Sequence, residues 1–167
     1  MLEPAILYKE EVLYKLHCTW LDEQYKYLYC DGYVDDWKIE ESNWLYTQLV
    51  SIYDDKILGF IQYKNNRQSN NVCGLVIVGF ENDARFVRDI VQAVDDIFNR
   101  FNFNKLNFSA VPENPAAKIY DKYIERLGGR VVGIYEQDWK CWDNKFYDRK
   151  TYEIMKSNYH NLYHRGK

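Results

Sequence analysis

The sequence has few of the residues that build metal sites and disulfide frameworks. Only four of its 167 residues are cysteines, Cys18, Cys30, Cys73 and Cys141, and no two of them form a C-x-x-C pair. Spacing this wide argues against a zinc site and predicts reduced thiols, the ordinary state of cysteine in a cytoplasmic protein. The histidines are His17, His160 and His164. They are too dispersed to predict a metal centre or a histidine-based catalytic site, so we expect no metal.

Long apolar runs and an excess of one charge are also missing. No run approaches the roughly 20 residues that a membrane helix needs, and the first residues lack the basic-then-apolar layout of a signal peptide. The 22 basic and 25 acidic residues leave a net charge of −3, which does not favour a nucleic-acid partner. We expect one cytoplasmic domain over residues 1–167, with no membrane or nucleic-acid partner. The oligomeric state is left open, with a homodimer among the alternatives.

Aromatic residues are unusually frequent, at 16 Tyr, 8 Phe and 5 Trp. One interpretation is that tyrosines fill half-buried strand positions, where the ring packs and the hydroxyl stays hydrated. Another is a surface on which sugars or bases stack. Because the tyrosines are spread over every segment, the sequence favours the first interpretation.

Hydrophobic periodicity predicts an alternation of helices and strands. The predicted elements are a helix over 8–30 ending at Asp31–Gly32, a hairpin about Asp54–Asp55, an apolar strand over 72–80, a helix over 83–101, a strand over 105–111, a helix from Pro115 to about Leu127, and a hairpin about Asp143–Asn144. A polar tail follows. This order predicts a mixed α/β fold, with helices on both faces of one sheet.

The start of the helix at Pro115 is the best-marked boundary. Asn114 is a favoured N-cap, Pro115 a favoured first helical residue, and Gly128–Gly129 ends the helix. Because the preceding strand stops at Pro112, the free N–H groups of a helix N-terminus lie beside a strand end. Such a position is suited to bind a ligand.

Three stretches in this order resemble the GNAT acetyltransferase superfamily, and most closely its ribosomal-protein N-terminal acetyltransferase branch. They are "YDDKILGFIQY", "SAVPENPAAKIYDKYIERLGG" and "FYDRKTYEIMKSNY". The resemblance covers about residues 44–159. It implies a central, mostly antiparallel mixed sheet flanked by helices, in which the fourth and fifth strands splay apart.

The resemblance also implies a site. Acetyl-CoA would be the co-substrate, with its pantetheine arm paired to the backbone of the fourth strand at about Val76 to Val78. Asn114 would contact the cofactor, and a tyrosine early in the same helix, here Tyr120, would protonate the departing thiolate. The acceptor would be an amine-bearing small molecule or peptide, which the acids at 31–41 could attract: Asp31, Asp35, Asp36, Glu40 and Glu41.

The sequence departs from the family where the pyrophosphate would bind. The family uses a Gln/Arg-x-x-Gly-x-Gly/Ala turn, and "ENDARF" stands there in this chain. The equivalent cofactor-binding residues are Ala84, Arg85 and Phe86. One interpretation is that Arg85 and Arg88 clamp the phosphates. The other is an ordinary amphipathic helix start, with Phe86 in the core and both arginines solvated.

The catalytic residues are less well marked. Tyr120 lies six residues after Asn114, whereas the family spacing is seven, and one residue turns a side chain about 100° around a helix. A core role for Tyr120 or Tyr123 is therefore the alternative to catalysis by Tyr120. The amine must lose a proton, and the sequence does not choose among the candidate bases Glu40, Glu41, Glu136 and Asp138. Asp148 recurs in the family pattern and reads as structural.

Three functions remain open at this point. The leading hypothesis is an N-acetyltransferase that transfers an acetyl group from acetyl-CoA to a primary amine by direct attack. The alternative is a catalytically inactive GNAT-like binding or regulatory protein with lost or altered CoA binding. A third is an aromatic-rich domain that binds sugars or nucleic acid.

Overall fold

One sheet of seven strands organises the part of the chain that the structure describes. The computed structural model describes residues 1–30, 32–41 and 43–163. The strands are β1 (Leu2–Pro4), β2 (Tyr46–Tyr53), β3 (Lys56–Asn66), β4 (Asn71–Gly79), β5 (Lys105–Ala110), β6 (Arg130–Lys140) and β7 (Phe146–Met155), in the spatial order β1-β2-β3-β4-β5-β7-β6. The helices are α1 (Lys9–Cys18), α2 (Ala84–Asp95), α3 (Pro115–Arg126) and α4 (Lys156–Tyr163). All strand pairs are antiparallel except β4 with β5, which confirms the predicted mixed sheet.

The sheet opens between β4 and β5. These strands pair only at their first residues, Asn71 with Lys105 and Val72 with Leu106. Beyond that point β4 stays paired with β3, and β5 stays paired with β7. Residues 75–79 and 107–111 therefore face each other across a gap, which we name the slot. The predicted splaying of the fourth and fifth strands is confirmed.

Helices cover both faces of the sheet, as the sequence predicts. Buried residues of α2 and α3, such as Phe86 and Ile124, form one core cluster with Ile61 on β3. Buried residues of α1, such as Leu16, form a second cluster with Phe60 on the opposite face of β3. The alternation of neighbouring β3 side chains thus separates the α2–α3 face from the α1 face.

Most predicted boundaries hold, including those of α3 and the α2 region, which continues as a π-helical turn over Asp96–Arg100. The first helix is different. It ends at Cys18, and a 3₁₀ helix over Glu23–Tyr29 follows, so one helix over 8–30 is wrong. Leu21 has a positive φ of 62°, which breaks the helix, and Asp22 caps the next element. Asp31 and His164 lie outside the described residues.

The hairpin about Asp54–Asp55 is confirmed, since both residues have the positive φ of a tight turn. Two short elements have no counterpart among the predictions. Strand β1 pairs with β2, and α4 forms where the sequence suggests only a polar tail. Among the described helices, none is both long and apolar enough to cross a membrane.

The prediction of four reduced cysteines is wrong for one pair. A disulfide joins Cys30 to Cys141, 111 residues away, and both side chains are buried beside Val111. Cys18 and Cys73 are free. Sequence spacing cannot show this pairing, because tertiary folding alone brings the two residues together.

Candidate active site

A cavity of about 960 Å³ occupies the slot and the space above it on the α1 face. Both edges of the slot line it, together with the 3₁₀ helix after α1 and part of the β6–β7 hairpin. Of the predicted site residues it contains Val76, Val78, Asn114 and Tyr120, whereas Ala84, Arg85 and Phe86 lie outside its lining. The structure therefore brings together the strand and helix components of the predicted site, and separates them from the predicted phosphate residues.

Register with β3 decides which peptide groups of β4 face the slot. The Phe80 N–H donates to the Leu58 carbonyl at 2.9 Å, and Phe60 lies opposite Val78. Because hydrogen-bonding direction alternates along an antiparallel strand, the peptide groups of Val76 and Val78 point to β3. Those of Ile77 and Gly79 point into the slot. Within the predicted stretch from Val76 to Val78, the peptide groups open to the slot are therefore those of Ile77, followed by those of Gly79, and pairing of a cofactor arm with this stretch stays a prediction.

One slot-facing peptide group already has a partner. The Tyr25 hydroxyl, on the 3₁₀ helix after α1, donates to the Gly79 carbonyl at 2.8 Å. Tyr25 also lines the cavity, and burial raises the pKa of its hydroxyl. This residue is absent from the sequence predictions, because nothing in the spacing links position 25 to the end of β4.

Tyr120 lies on the second turn of α3, with its ring in the wall of the slot. The ring packs edge-on against Phe108 and Tyr152, with centroids 5.5 and 6.4 Å away. Its hydroxyl makes no hydrogen bond to any described residue, and burial raises its pKa. Packing therefore fixes the ring while a protonated hydroxyl stays available to a ligand.

Asn114 caps α3 at the open end of the slot, as predicted. Its side-chain Oδ1 accepts from the Ala116 N–H at 2.9 Å. The residue lines the cavity, so its amide NH₂ is placed to donate to a ligand there. Cap and ligand contact use different atoms of one side chain, and the two roles are compatible.

The start of α2 has its charges paired internally. Asp83 caps the helix by accepting from the Arg85 N–H at 2.7 Å, and the Arg85 guanidinium contacts both Asp83 and Asp54 at 2.9 Å. The same guanidinium stacks over Tyr53 and holds the pKa of Asp83 below its usual range. Glu81 turns away and pairs with Lys56. An anion at this helix N-terminus would have to displace Asp83.

The other predicted phosphate residues are placed accordingly. Phe86 is 5% exposed and its ring packs against Gly59, so it belongs to the core. Ala84 is an exposed first helical residue, and Arg88 is exposed. For this segment the structure favours the amphipathic helix start over a phosphate clamp by Arg85 and Arg88.

Among the candidate bases, only Glu40 lines the cavity. Its N–H donates to the side chain of Gln48, which in turn donates to Lys38 O and Gln62 Oε1, both at 2.7 Å. This buried amide fixes the chain at 38–40 against the sheet. Asp36, one of the predicted acids, joins Glu40 in the lining.

The remaining carboxylates have other positions. Asp138 pairs with Arg149, and Asp148 accepts from the Gln137 N–H, which agrees with a structural role for Asp148. Glu41 and Glu136 are exposed outside the cavity lining.

Comparison with solved structures identifies the fold. A protein classed as an acetyltransferase superposes with a TM-score of 0.72 at 15% identity, over 98% of this chain and 87% of that chain. Another, from T. thermophilus, gives 0.70 at 14% identity over 98% and 89%. The spermidine/spermine N-acetyltransferase SpeG from Vibrio cholerae gives 0.60 at 20% identity over 70% and 69%. No protein-family model and no curated protein sequence matches the chain.

At sequence identities of 20% or less these comparisons show the fold alone, and it is the fold of the GNAT acetyltransferases. The predicted fold class is confirmed. Assignment to the ribosomal-protein branch stays a prediction.

Proposed function

We propose that this chain, which has the GNAT acetyltransferase fold, transfers an acetyl group from acetyl-CoA to a primary amine of a small molecule or peptide. Acetyl-CoA supplies the activated acetyl group, the amine attacks it directly, a C–N bond forms and the C–S bond breaks. The observation that carries the proposal is the slot, in which no described strand covers the edge of β4 at Ile77 and Gly79, only the Gly79 carbonyl is bonded to Tyr25, and Asn114 and Tyr120 lie alongside. An extended arm with amide groups can pair with such an edge as an added strand does.

Acetyl transfer needs two proton transfers, one to the departing thiolate and one from the attacking amine, and different residues around the slot would carry them. Tyr120 would donate the proton that the sulfur takes, since its hydroxyl is protonated at neutral pH and makes no hydrogen bond to a described residue. Glu40 would accept the proton that the amine loses, directly or through water. Asp36 and Glu40 are the two carboxylates in the described lining, which also contains Lys38, Lys64 and Arg149, and they are the groups that could pair with a cationic amine. The acceptors named for SpeG, spermidine and spermine, are amines of this kind.

The fit to the cofactor is uneven along its length. The slot fits the pantetheine arm of CoA. The CoA phosphates would meet the start of α2, where Asp83 already caps the helix. We therefore expect CoA affinity to come mainly from the slot. This weak phosphate site also supports the alternative function, an inactive GNAT-like protein that binds CoA poorly or not at all.

Titration calorimetry with CoA, acetyl-CoA and pantetheine tests the proposal. Pantetheine lacks the nucleotide and its phosphates but keeps the arm that fits the slot. If the slot supplies most of the affinity, pantetheine should retain most of the binding free energy of CoA. CoA at a hundred times its dissociation constant should also stabilise the fold by about 2.7 kcal/mol in thermal unfolding. Absence of binding at millimolar concentration would reject the transferase and favour the inactive alternative. Binding without acetyl-CoA turnover on a panel of amines would leave only a binding function.

Replacing Asp83 with Asn should tighten CoA binding. Asn keeps the helix cap but removes the negative charge from the N-terminus, and it frees Arg85 from the Asp83 contact. We expect an approximately two- to fivefold lower dissociation constant at low salt, with pantetheine affinity unchanged. Glu125→Gln controls for the change in net charge, because Glu125 is exposed near the C-terminal end of a different helix, α3. Equal affinities in all three proteins would show that the phosphates lie elsewhere.

A further inference from the structure

The 3₁₀ helix after α1 connects the two halves of the open sheet. We name residues 23–30 the strap. At one end of the strap Tyr25 bonds to Gly79 on β4, and at the other Cys30 is bonded to Cys141 on the β6–β7 hairpin. We propose that the Cys30–Cys141 disulfide is a reversible redox latch, which holds the strap across the α1 face of the slot and whose reduction opens that face.

The hairpin end of the strap is held by several contacts around the disulfide. Lys26 Nζ lies 2.6 Å from Asp143 Oδ2, and the Tyr147 hydroxyl donates to the same carboxylate at 2.7 Å. The Tyr27 and Tyr147 rings meet edge-on, with centroids 5.4 Å apart. The Lys26 ammonium also holds the pKa of Asp143 down to about 2, so this pair stays charged at neutral pH.

These contacts matter because they join the two halves of the sheet on the α1 face, whereas the core cluster of α2 and α3 joins them on the opposite face. Strands β4 and β5 share two residue pairs, both at the narrow end. The strap contacts the two halves beyond that point, at Gly79 and at the hairpin. The disulfide is the covalent part of this connection, and it closes a loop of 111 residues that would otherwise rest on exchangeable polar and aromatic contacts.

Reduction requires an external dithiol of the kind that reduces protein disulfides. Its thiolate attacks one sulfur, a mixed disulfide forms, and its second thiol then releases the protein. The Cys30–Cys141 bond breaks, the dithiol is oxidised to a disulfide, and two electrons and two protons pass to the two cysteines. Both cysteines are buried, but Cys30 lines the cavity and Cys141 does not, so attack on Cys30 from the cavity is the shorter route for the dithiol.

Opening the strap would loosen the part of the cavity wall that Tyr25 and Tyr27 form, and would widen the access of an acceptor to the cavity. This consequence for the acceptor rests on the proposed function. The latch itself does not, because it follows from the strap contacts alone.

Cys73 provides a readout that needs no cofactor. It is a free, half-buried thiol on β4 that lines the cavity, and Cys18→Ser removes the other free thiol, which is exposed. In this background, a bulky maleimide should label Cys73 at least about tenfold faster in a Cys30→Ser/Cys141→Ser variant than in the disulfide form. Amide hydrogen exchange should rise in the strap and stay unchanged in β2 and β3, which shows that the fold is intact.

Chemical reduction of the Cys18→Ser protein, followed by reoxidation, provides the second measurement in case the serine variant misfolds. Peptide-resolved mass spectrometry separates Cys73 from the newly freed thiols, and its labelling should accelerate on reduction and slow again on reoxidation. Unchanged Cys73 labelling and unchanged exchange in the strap would overturn the latch, as would four free thiols in the wild-type protein isolated without reductant. CoA calorimetry on the same samples is separate: loss of CoA binding in both redox forms would reject the transferase while leaving a responsive latch supported.

Discussion

Tyr120→Phe is expected to lower kcat for acetyl transfer by about 10²- to 10⁴-fold, the range for loss of a general acid. The substitution removes only the hydroxyl, and the ring keeps its edge-on contacts with Phe108 and Tyr152. Stability and the dissociation constant for CoA should therefore change little. Steady-state kinetics with a reactive amine, together with calorimetry, separate the two effects. Tyr123→Phe is the matched control, since Tyr123 is on the same helix but does not line the cavity.

The pH dependence gives the same role a second test. Burial raises the pKa of Tyr120 above its ordinary value of 10.0. The hydroxyl therefore stays protonated through neutral pH, and loss of this acid can lower the rate only at strongly alkaline pH. A fall in kcat near neutral pH must come from another group, and it should persist in Tyr120→Phe. Full turnover by Tyr120→Phe would assign Tyr120 to the core, the alternative that its spacing from Asn114 leaves open.

Gly59→Ala is expected to destabilise the fold by about 1–3 kcal/mol, the usual cost of overpacking a core. A Cβ at Gly59 would lie 2.3 Å from Cζ of Phe86, whose ring lies over both Gly59 and its strand partner Gly79, so the ring would have to move away from the sheet. Phe86 is on the first turn of α2, so its displacement would also disturb the Asp83 cap. Urea unfolding measures the loss.

Gly133→Ala is the control for this effect. A Cβ at Gly133 on β6 meets nothing within 4 Å, and removal of a glycine stiffens the unfolded chain, so the variant should be neutral or slightly stabilised. Equal losses at the two positions would mean that the Phe86 ring is not the cause. The pair thus tests whether a glycine is needed where the sheet passes beneath the start of α2.

The sequence predicts the elements around the slot because their markers are local, whereas the opening between β4 and β5 is what the resemblance to the GNAT superfamily implies. Asn114–Pro115 begins α3, Asp54–Asp55 turns a hairpin, and the apolar strand over 72–80 becomes β4 at the centre of the sheet. Each depends on residues within a few positions of each other, where capping and turn preferences are strong. The order of these elements then gives the fold.

The parts that the sequence does not predict depend on distant residues. The backbone peptide groups of Ile77, and not those of Val76, point into the slot. Their direction is set by the hydrogen bond from the Phe80 N–H to the Leu58 carbonyl on another strand. Cys30 and Cys141 meet only after the strap reaches the β6–β7 hairpin. Arg85 forms an ion pair with Asp54 of the β2–β3 turn, and the stretch "ENDARF" alone cannot show this partner.

The open edge of β4 also bears on the solubility of the chain. Unpaired strand edges are templates on which extended peptides and other copies of a chain add themselves, and proteins usually cover such edges or place charges on them. Here the edge lies inside the sheet, and the Tyr25 hydroxyl covers its last carbonyl. The segment after α1 thus leaves less of the β4 edge open to an added strand, in addition to shaping the cavity.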